Sequence, residues 1–129
     1  MNRENLQRMA DYIRTVPRSA FTMDTYRVSG DDDSAKCNSV GCVIGHCTVL
    51  DEQLFNRLSP YGTFEQWSYL FTGLLTDSNE WDWCFNYKWV YYDNTPTGAA
   101  DRIEWLLKNG LPENWRAQMV GDAPLCYKK

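Results

Sequence analysis

One helix in this chain is marked at both ends by its own residues, and it limits the fold more than any other feature. Thr95-Pro96 is an N-cap followed by proline at the first helical position, where a missing N–H costs nothing. Ala99, Ala100, Ile103, Leu106 and Leu107 then recur at helical spacing as far as Asn109. Gly110, Leu111 and Pro112 supply the left-handed stop, its apolar follower and the helix breaker. A helix of this length with one apolar stripe must lay that stripe against other elements.

Other segments repeat the pattern. Leu6, Met9, Ala10 and Ile13 form a stripe after Asn2, with Pro17 ending the helix near Val16. Ser39 caps a helix expected from Val40 to about Leu50, on which Val40, Val43, Ile44 and Cys47 share a face. Gly41 and Gly45 lie four apart on it, and each costs about 1 kcal/mol against Ala in a helix interior, so a close neighbour is expected there. Leu54, Phe55 and Leu58 continue as a short helical segment, closed by Ser59-Pro60-Tyr61-Gly62. Thr63 with Gln66 reads as a capping box before a helix in which Phe64, Trp67, Leu70, Phe71 and Leu74 line one side. Asp77 with Glu80 begins a further short helix carrying Trp81 and Phe85.

The expected fold is therefore mainly α, a single compact domain of five or six helices over residues 1–129. Two segments are set apart from it. Residues 29–36, with Gly30 and three consecutive aspartates, have nothing to bury and are expected to form a mobile acidic loop. The polar stretch after Trp115 is expected to be a loosely held tail.

The aromatic run resists a single reading. Trp81, Trp83, Phe85, Tyr87, Trp89 and Tyr91 alternate as a strand would, while Trp81, Phe85, Trp89 and Tyr92 fit a helical face. A helix to about Asn86 followed by an extended turn or short strand is expected. A two-stranded β element pairing 24–28 with 87–92 is the option this leaves open.

With 129 residues, six Trp, eight Tyr and five Phe, the chain can bury a core without staples. The net charge of −4 excludes nonspecific nucleic-acid binding, which needs clustered Lys and Arg, yet is too mild for a DNA-mimicking surface. No stretch approaches the ~18 apolar residues of a membrane span, and no apolar signal region follows Met1, so no membrane partner is expected. Five cysteines, an odd number, fit reduced thiols in a cytoplasm.

Three of those cysteines, and the one histidine, fall within Cys37–Cys47. Cys42 and His46 are i and i+4 on the expected helix, which suits a zinc site or a thiol with a base beside it. Adjacent His46 and Cys47 point different ways, however, and the segment's face is apolar. The cysteines are therefore read as small buried hydrophobes, with no metal and no cofactor. Glu80, Asp82, Asp93, Asp101 and Glu104 are read as capping and solvated-face residues. No phosphate-cradling glycine loop, HExxH, GxSxG or EF-hand pattern occurs, so no catalytic residues are assigned and a non-enzymatic protein is expected. The aromatic run would serve a protein interface or stack a nucleotide-like ligand. Its candidate binding residues are Trp83, Tyr87, Trp89 and Tyr91.

The cysteine-rich segment also resembles a motif, Cys-Gly-Thr-x-x-Cys-x-x-Gly-x-Ala, of a family of small uncharacterised proteins of bacteriophages and prophages. Cys37, Ser39, Cys42 and Gly45 match it, whereas Asn38 and Cys47 depart from it. Phe71-Thr72-Gly73-Leu74 and the run from Asp93 to Ile103 resemble the family's Phe-x-Gly-Leu step and last-helix entry. The resemblance spans most of residues 5–110 and implies a mainly helical protein acting in the cytoplasm of an infected bacterial cell. It implies no activity and no site residues. The resulting expectation is a small accessory protein that binds a host or defence-system protein, with counter-defence as one purpose. A nucleotide-like ligand sponge and a cysteine-dependent enzyme are the alternatives.

Overall fold

The side chain of Asn2 accepts a hydrogen bond from the Asn5 amide and opens helix α1, Arg3–Ile13. Its stripe of Leu6, Met9, Ala10 and Ile13 is wholly buried. A computed structural model describes residues 1–23, 42–58 and 64–128 of the chain. Among these, α1 is followed by a 3-10 turn at Arg18–Ala20, α2 at Val43–Cys47, a 3-10 turn at Thr48–Asp51, and α3 at Glu52–Leu58. Then come α4 at Phe64–Thr72, α5 at Asn79–Phe85, a 3-10 turn at Tyr87–Tyr91, α6 at Pro96–Asn109, α7 at Trp115–Met119 and a last turn at Cys126–Lys128. The domain is mainly helical, and α2 to α3 follow without a break from Val43 to Leu58.

α6 keeps the bounds its end signals predict. Thr95 Oγ1 accepts from the Gly98 amide at 3.0 Å, and the Gly110 amide reaches back to the Leu106 carbonyl at 3.0 Å. α1 lies along α6. Arg14 bridges to Asp101 and Glu104 at 2.7 Å each, and Gln7 Nε2 donates to Glu104 at 2.8 Å. α1 is also tied to the end of α4, where Asn5 Nδ2 donates to the Phe71 carbonyl at 2.9 Å and the Asn2 amide to that of Thr72. Gly73 ends α4 at φ +75, and a Cβ there would lie 3.2 Å from the Met1 backbone.

α4 buries Trp67 and Phe71, and Leu74 beyond its end, as expected, but its face is turned at Leu70. Its buried residues are Trp67, Ser68, Phe71 and Thr72, while Leu70 is exposed. The rotation has a polar cause: Trp81 Nε1 donates to Ser68 Oγ at 2.9 Å, which draws Ser68 inward. Trp67 stacks on Phe71 at 4.5 Å and donates to the Asp51 carbonyl. α5 starts one residue later than expected, because Ser78 and not Asp77 caps it, accepting from the Trp81 amide.

Of the extended turn or short strand expected after Asn86, the structure has a turn, a 3-10 one at Tyr87–Tyr91. Asn86 decides this: its side chain accepts from the Lys88 amide at 2.8 Å and caps the turn, which the Tyr92 amide closes on the Trp89 carbonyl. Residues 24–28, the other half of the β element left open with 87–92, lie outside the described residues. So do the acidic loop at 29–36, Cys37, the Ser39 cap, Gly41, the Ser59–Gly62 closure and Thr63.

The stretch after Trp115, expected as a loosely held tail, is anchored to the domain by its own side chains. Trp115, Gln118 and Met119 are buried. Gln118 is the fastener: its Nε2 donates to Asn114 Oδ1 at 2.7 Å, and its Oε1 accepts from the Cys126 amide at 3.0 Å. That bond brings Tyr127 onto the edges of Trp83 and Trp89.

Candidate binding surface

The four aromatic residues singled out in the run divide evenly between core and surface. Trp83 and Trp89 are 0% exposed and cannot meet a partner in the folded protein. Tyr87 and Tyr91 are 56% and 73% exposed, and Tyr92 joins them at 49%. The cause is the 3-10 turn after Asn86. It sends Trp89 inward, and leaves Tyr87 and Tyr91 projecting outward with Lys88.

Trp89, in the same turn, belongs to a buried polar network. Trp83 Nε1 donates to the Arg102 carbonyl, and Trp89 Nε1 to that of Trp83, both at 2.9 Å. The Arg102 guanidinium lies over the Trp89 ring, 4.1 Å from its centroid. Its Nη1 also donates to Asp93 Oδ2 at 3.3 Å and to Tyr127 Oη at 2.8 Å. Tyr127 in turn donates to Asp93 Oδ2 at 2.8 Å. On the other carboxylate oxygen, Thr95 donates at 2.7 Å and Lys128 Nζ stands at 3.5 Å. Arg102 Nε and Nη2 have no hydrogen-bond partner among the described residues; the indole face below the guanidinium supplies electrostatic compensation.

Arg102 and Asp93 are almost fully buried, so their attraction must offset a large desolvation cost. The packing around them is tight: a Cβ at Gly98 would fall 1.9 Å from Asp93 Oδ2. Burial pushes the Tyr127 hydroxyl's pKa up, with the Arg102 charge opposing the shift, so the phenol stays protonated and donates. Asp93, read from sequence as a capping or solvated acid, is thus an interior group, and Arg102 was not singled out at all. The available signal was the position of Arg102 three residues after Ala99 and four before Leu106, within the apolar stripe.

Tyr87, Lys88, Tyr91, Tyr92 and Val120 line a shallow, open pocket of about 220 Å³. Tyr91 and Tyr92 meet edge to face at 6.5 Å. Tyr92 is held by the end of α7, where a Cβ on Gly121 would fall 2.1 Å from its Cε1. Val120 and Lys88, which the run's periodicity does not reach, complete the rim.

The described part of the cysteine-rich segment, residues 42–47, lies in the interior. Cys42 is the N-cap of α2, and Cys42, Val43, Ile44 and Cys47 are all buried. His46 is buried too, with Nε2 2.6 Å from the Ala20 carbonyl oxygen, so one ring nitrogen is engaged by the scaffold. Burial pushes the Cys47 thiol well above its ordinary pKa, and that of Cys84 up to about 12. Neither is a thiolate at neutral pH. Among the described residues no three His, Cys, Asp or Glu side chains gather as metal ligands. Asp101 and Glu104 are engaged by Arg14 on the surface.

No helix among the described residues is long and apolar enough to cross a membrane. The chain matches no protein-family model, no curated protein and no solved structure.

Proposed function

We propose that this chain is a non-enzymatic binding protein that engages a macromolecule through the tyrosine surface of residues 87–92. The observation that carries this reading is the contrast within one short run. Trp83 and Trp89 are locked inside, while Tyr87, Tyr91 and Tyr92 stand in water around one pocket. Three large rings left exposed beside one another lose hydrophobic stabilisation unless something covers them. Tyrosine is enriched where proteins meet, because it offers a large rigid face, a polar tip and few rotatable bonds to freeze.

The pocket's size favours a macromolecule over a free small ligand. About 220 Å³ falls below the ~300–1,000 Å³ usual for small-molecule sites, and suits one or two side chains of a larger partner. A cysteine enzyme is disfavoured by the burial of Cys42, Cys47 and His46. The motifs shared with the phage and prophage family support a setting in the cytoplasm of an infected bacterium. There, the partner would be a host or defence-system protein.

Capture from bacterial lysate, with wild type and Tyr91→Ala compared side by side, tests the reading. A protein retained by the wild type, lost with the variant, and shown to bind when purified would support it. Equal retention by both would refute the surface assignment.

A further inference from the structure

We infer that the partner segment received by the tyrosine pocket is an extended, proline-containing stretch with an acidic residue beside the proline. This rests on the reading of residues 87–92 as a binding surface, and it names the chemistry that surface accepts.

Proteins receive peptide segments in a few ways, and most do not fit here. Strand addition needs an open sheet edge, and no strand occurs among the described residues. A docked helix needs anchors from i to i+7, about 10 Å apart along its axis, in a continuous apolar groove. This pocket has five lining residues, four of them from one 3-10 turn and its end. Recognition of a phosphorylated or strongly acidic motif needs clustered arginines, and here the lining cation is Lys88 alone. A shallow, aromatic-walled depression is what remains, and that is the setting in which polyproline II segments dock.

The polar inventory agrees. The lining side chains carry three phenol hydroxyls, one ammonium and the methyls of Val120, and no carboxylate. Its polar groups can all donate, and the ammonium can only donate. Proline presents a compact apolar ring and a carbonyl acceptor, with no N–H that would need an acceptor in return. A polyproline II segment is also already extended, so little conformational freedom is lost on docking. Lys88 selects a carboxylate next to the ring. The chain's net charge of −4 keeps that preference local, because a long acidic run would be repelled.

The test is a titration of the isotope-labelled full chain, followed by amide NMR shifts, with three synthetic peptides. One is a short proline run carrying a single glutamate, the second has every proline replaced by alanine, and the third has the glutamate replaced by lysine. The first should move the amides of Tyr87, Lys88, Tyr91, Tyr92 and Val120. Alanine for proline, or Tyr91→Ala in the protein, should weaken binding about tenfold or more. Lys88→Glu should reverse the preference between the glutamate and lysine peptides. Equal binding of the alanine peptide, shifts centred elsewhere, or no shifts at all would overturn the inference. If no peptide moves these amides but Tyr91→Ala still abolishes capture of the lysate partner, only the proline chemistry is refuted. If capture also survives that substitution, the surface reading falls with it.

Discussion

The guanidinium of Arg102 stands 4.1 Å from the centroid of the Trp89 ring, both side chains being fully buried. Trp89 belongs to the same 3-10 turn as the exposed Tyr87 and Tyr91. A cation in the interior persists only where it is compensated, and here Asp93, Tyr127 and the indole share the work.

Removing one member of that group should therefore be costly. Arg102→Ala leaves the Asp93 carboxylate buried with Lys128 as its remaining cation, and should destabilise the fold by about 3–5 kcal/mol. Urea denaturation followed by circular dichroism measures it. A loss below about 1 kcal/mol would mean that water reaches Asp93 in the native protein.

Gly98→Ala should have the opposite sign to its helix propensity. Alanine is favoured over glycine in a helix interior by about 1 kcal/mol. At this position the added methyl would overlap the Asp93 carboxylate, 1.9 Å away, so a net loss of about 1–3 kcal/mol is expected. A melting temperature that rises would refute the packing described around Asp93.

The aromatic run should split in a stability assay as it does in space. Trp89→Ala should cost about 3–5 kcal/mol, whereas Tyr91→Ala should change stability by no more than about 0.5 kcal/mol. Comparable losses from the two substitutions would show that Tyr91 is not a surface residue.

Alkaline pH should weaken the fold over a defined window. Cys84 titrates at 9.0 when unperturbed and at about 12 in the folded protein, and Tyr127 is shifted in the same direction. Above pH 9 the unfolded chain gives up the Cys84 proton while the native chain keeps it. Stability from this thiol is therefore complete below pH 9 and declines from there towards pH 12. The urea midpoint should fall across that range. Replacing Cys84 with alanine should flatten the fall, and an unchanged slope would refute the assignment.

On the acid side the corresponding effect should be small. Arg14 holds the Glu104 carboxyl below its usual pKa of 4.5, helped by the hydrogen bond from Gln7. Its contribution is present above that value and lost as pH falls through the lowered one. The pair is largely exposed, so Glu104→Gln should cost no more than about 0.5 kcal/mol at neutral pH. The difference should shrink further in high salt.

What could be read in advance follows the range of the deciding interaction. The ends of α6 were legible because Thr95, Pro96 and Gly110 act within a turn of themselves. The buried stripe of α1 was legible from period alone. Leu70 was not, because the turn of α4 is set by Trp81 reaching Ser68 from another helix. Residues 87–92 were ambiguous because alternating aromatics suit two backbones, and one side chain, Asn86, chose between them. The core role of Asp93 needed both Arg102 and Tyr127, which lie 9 and 34 residues away along the chain. As for the candidate surface, Tyr87 and Tyr91 were visible in the run. Lys88 and Val120 joined only once the 3-10 turn met the end of α7.

The inward placement of Trp83 and Trp89 has an optical corollary. Trp67, Trp81 and Trp115 are buried with them and Trp105 is half-buried on α6, so indole emission excited where phenols do not absorb will mainly follow melting of the interior. A partner settling on the phenols outside would leave that signal nearly constant, and its arrival has to be watched through the tyrosines themselves.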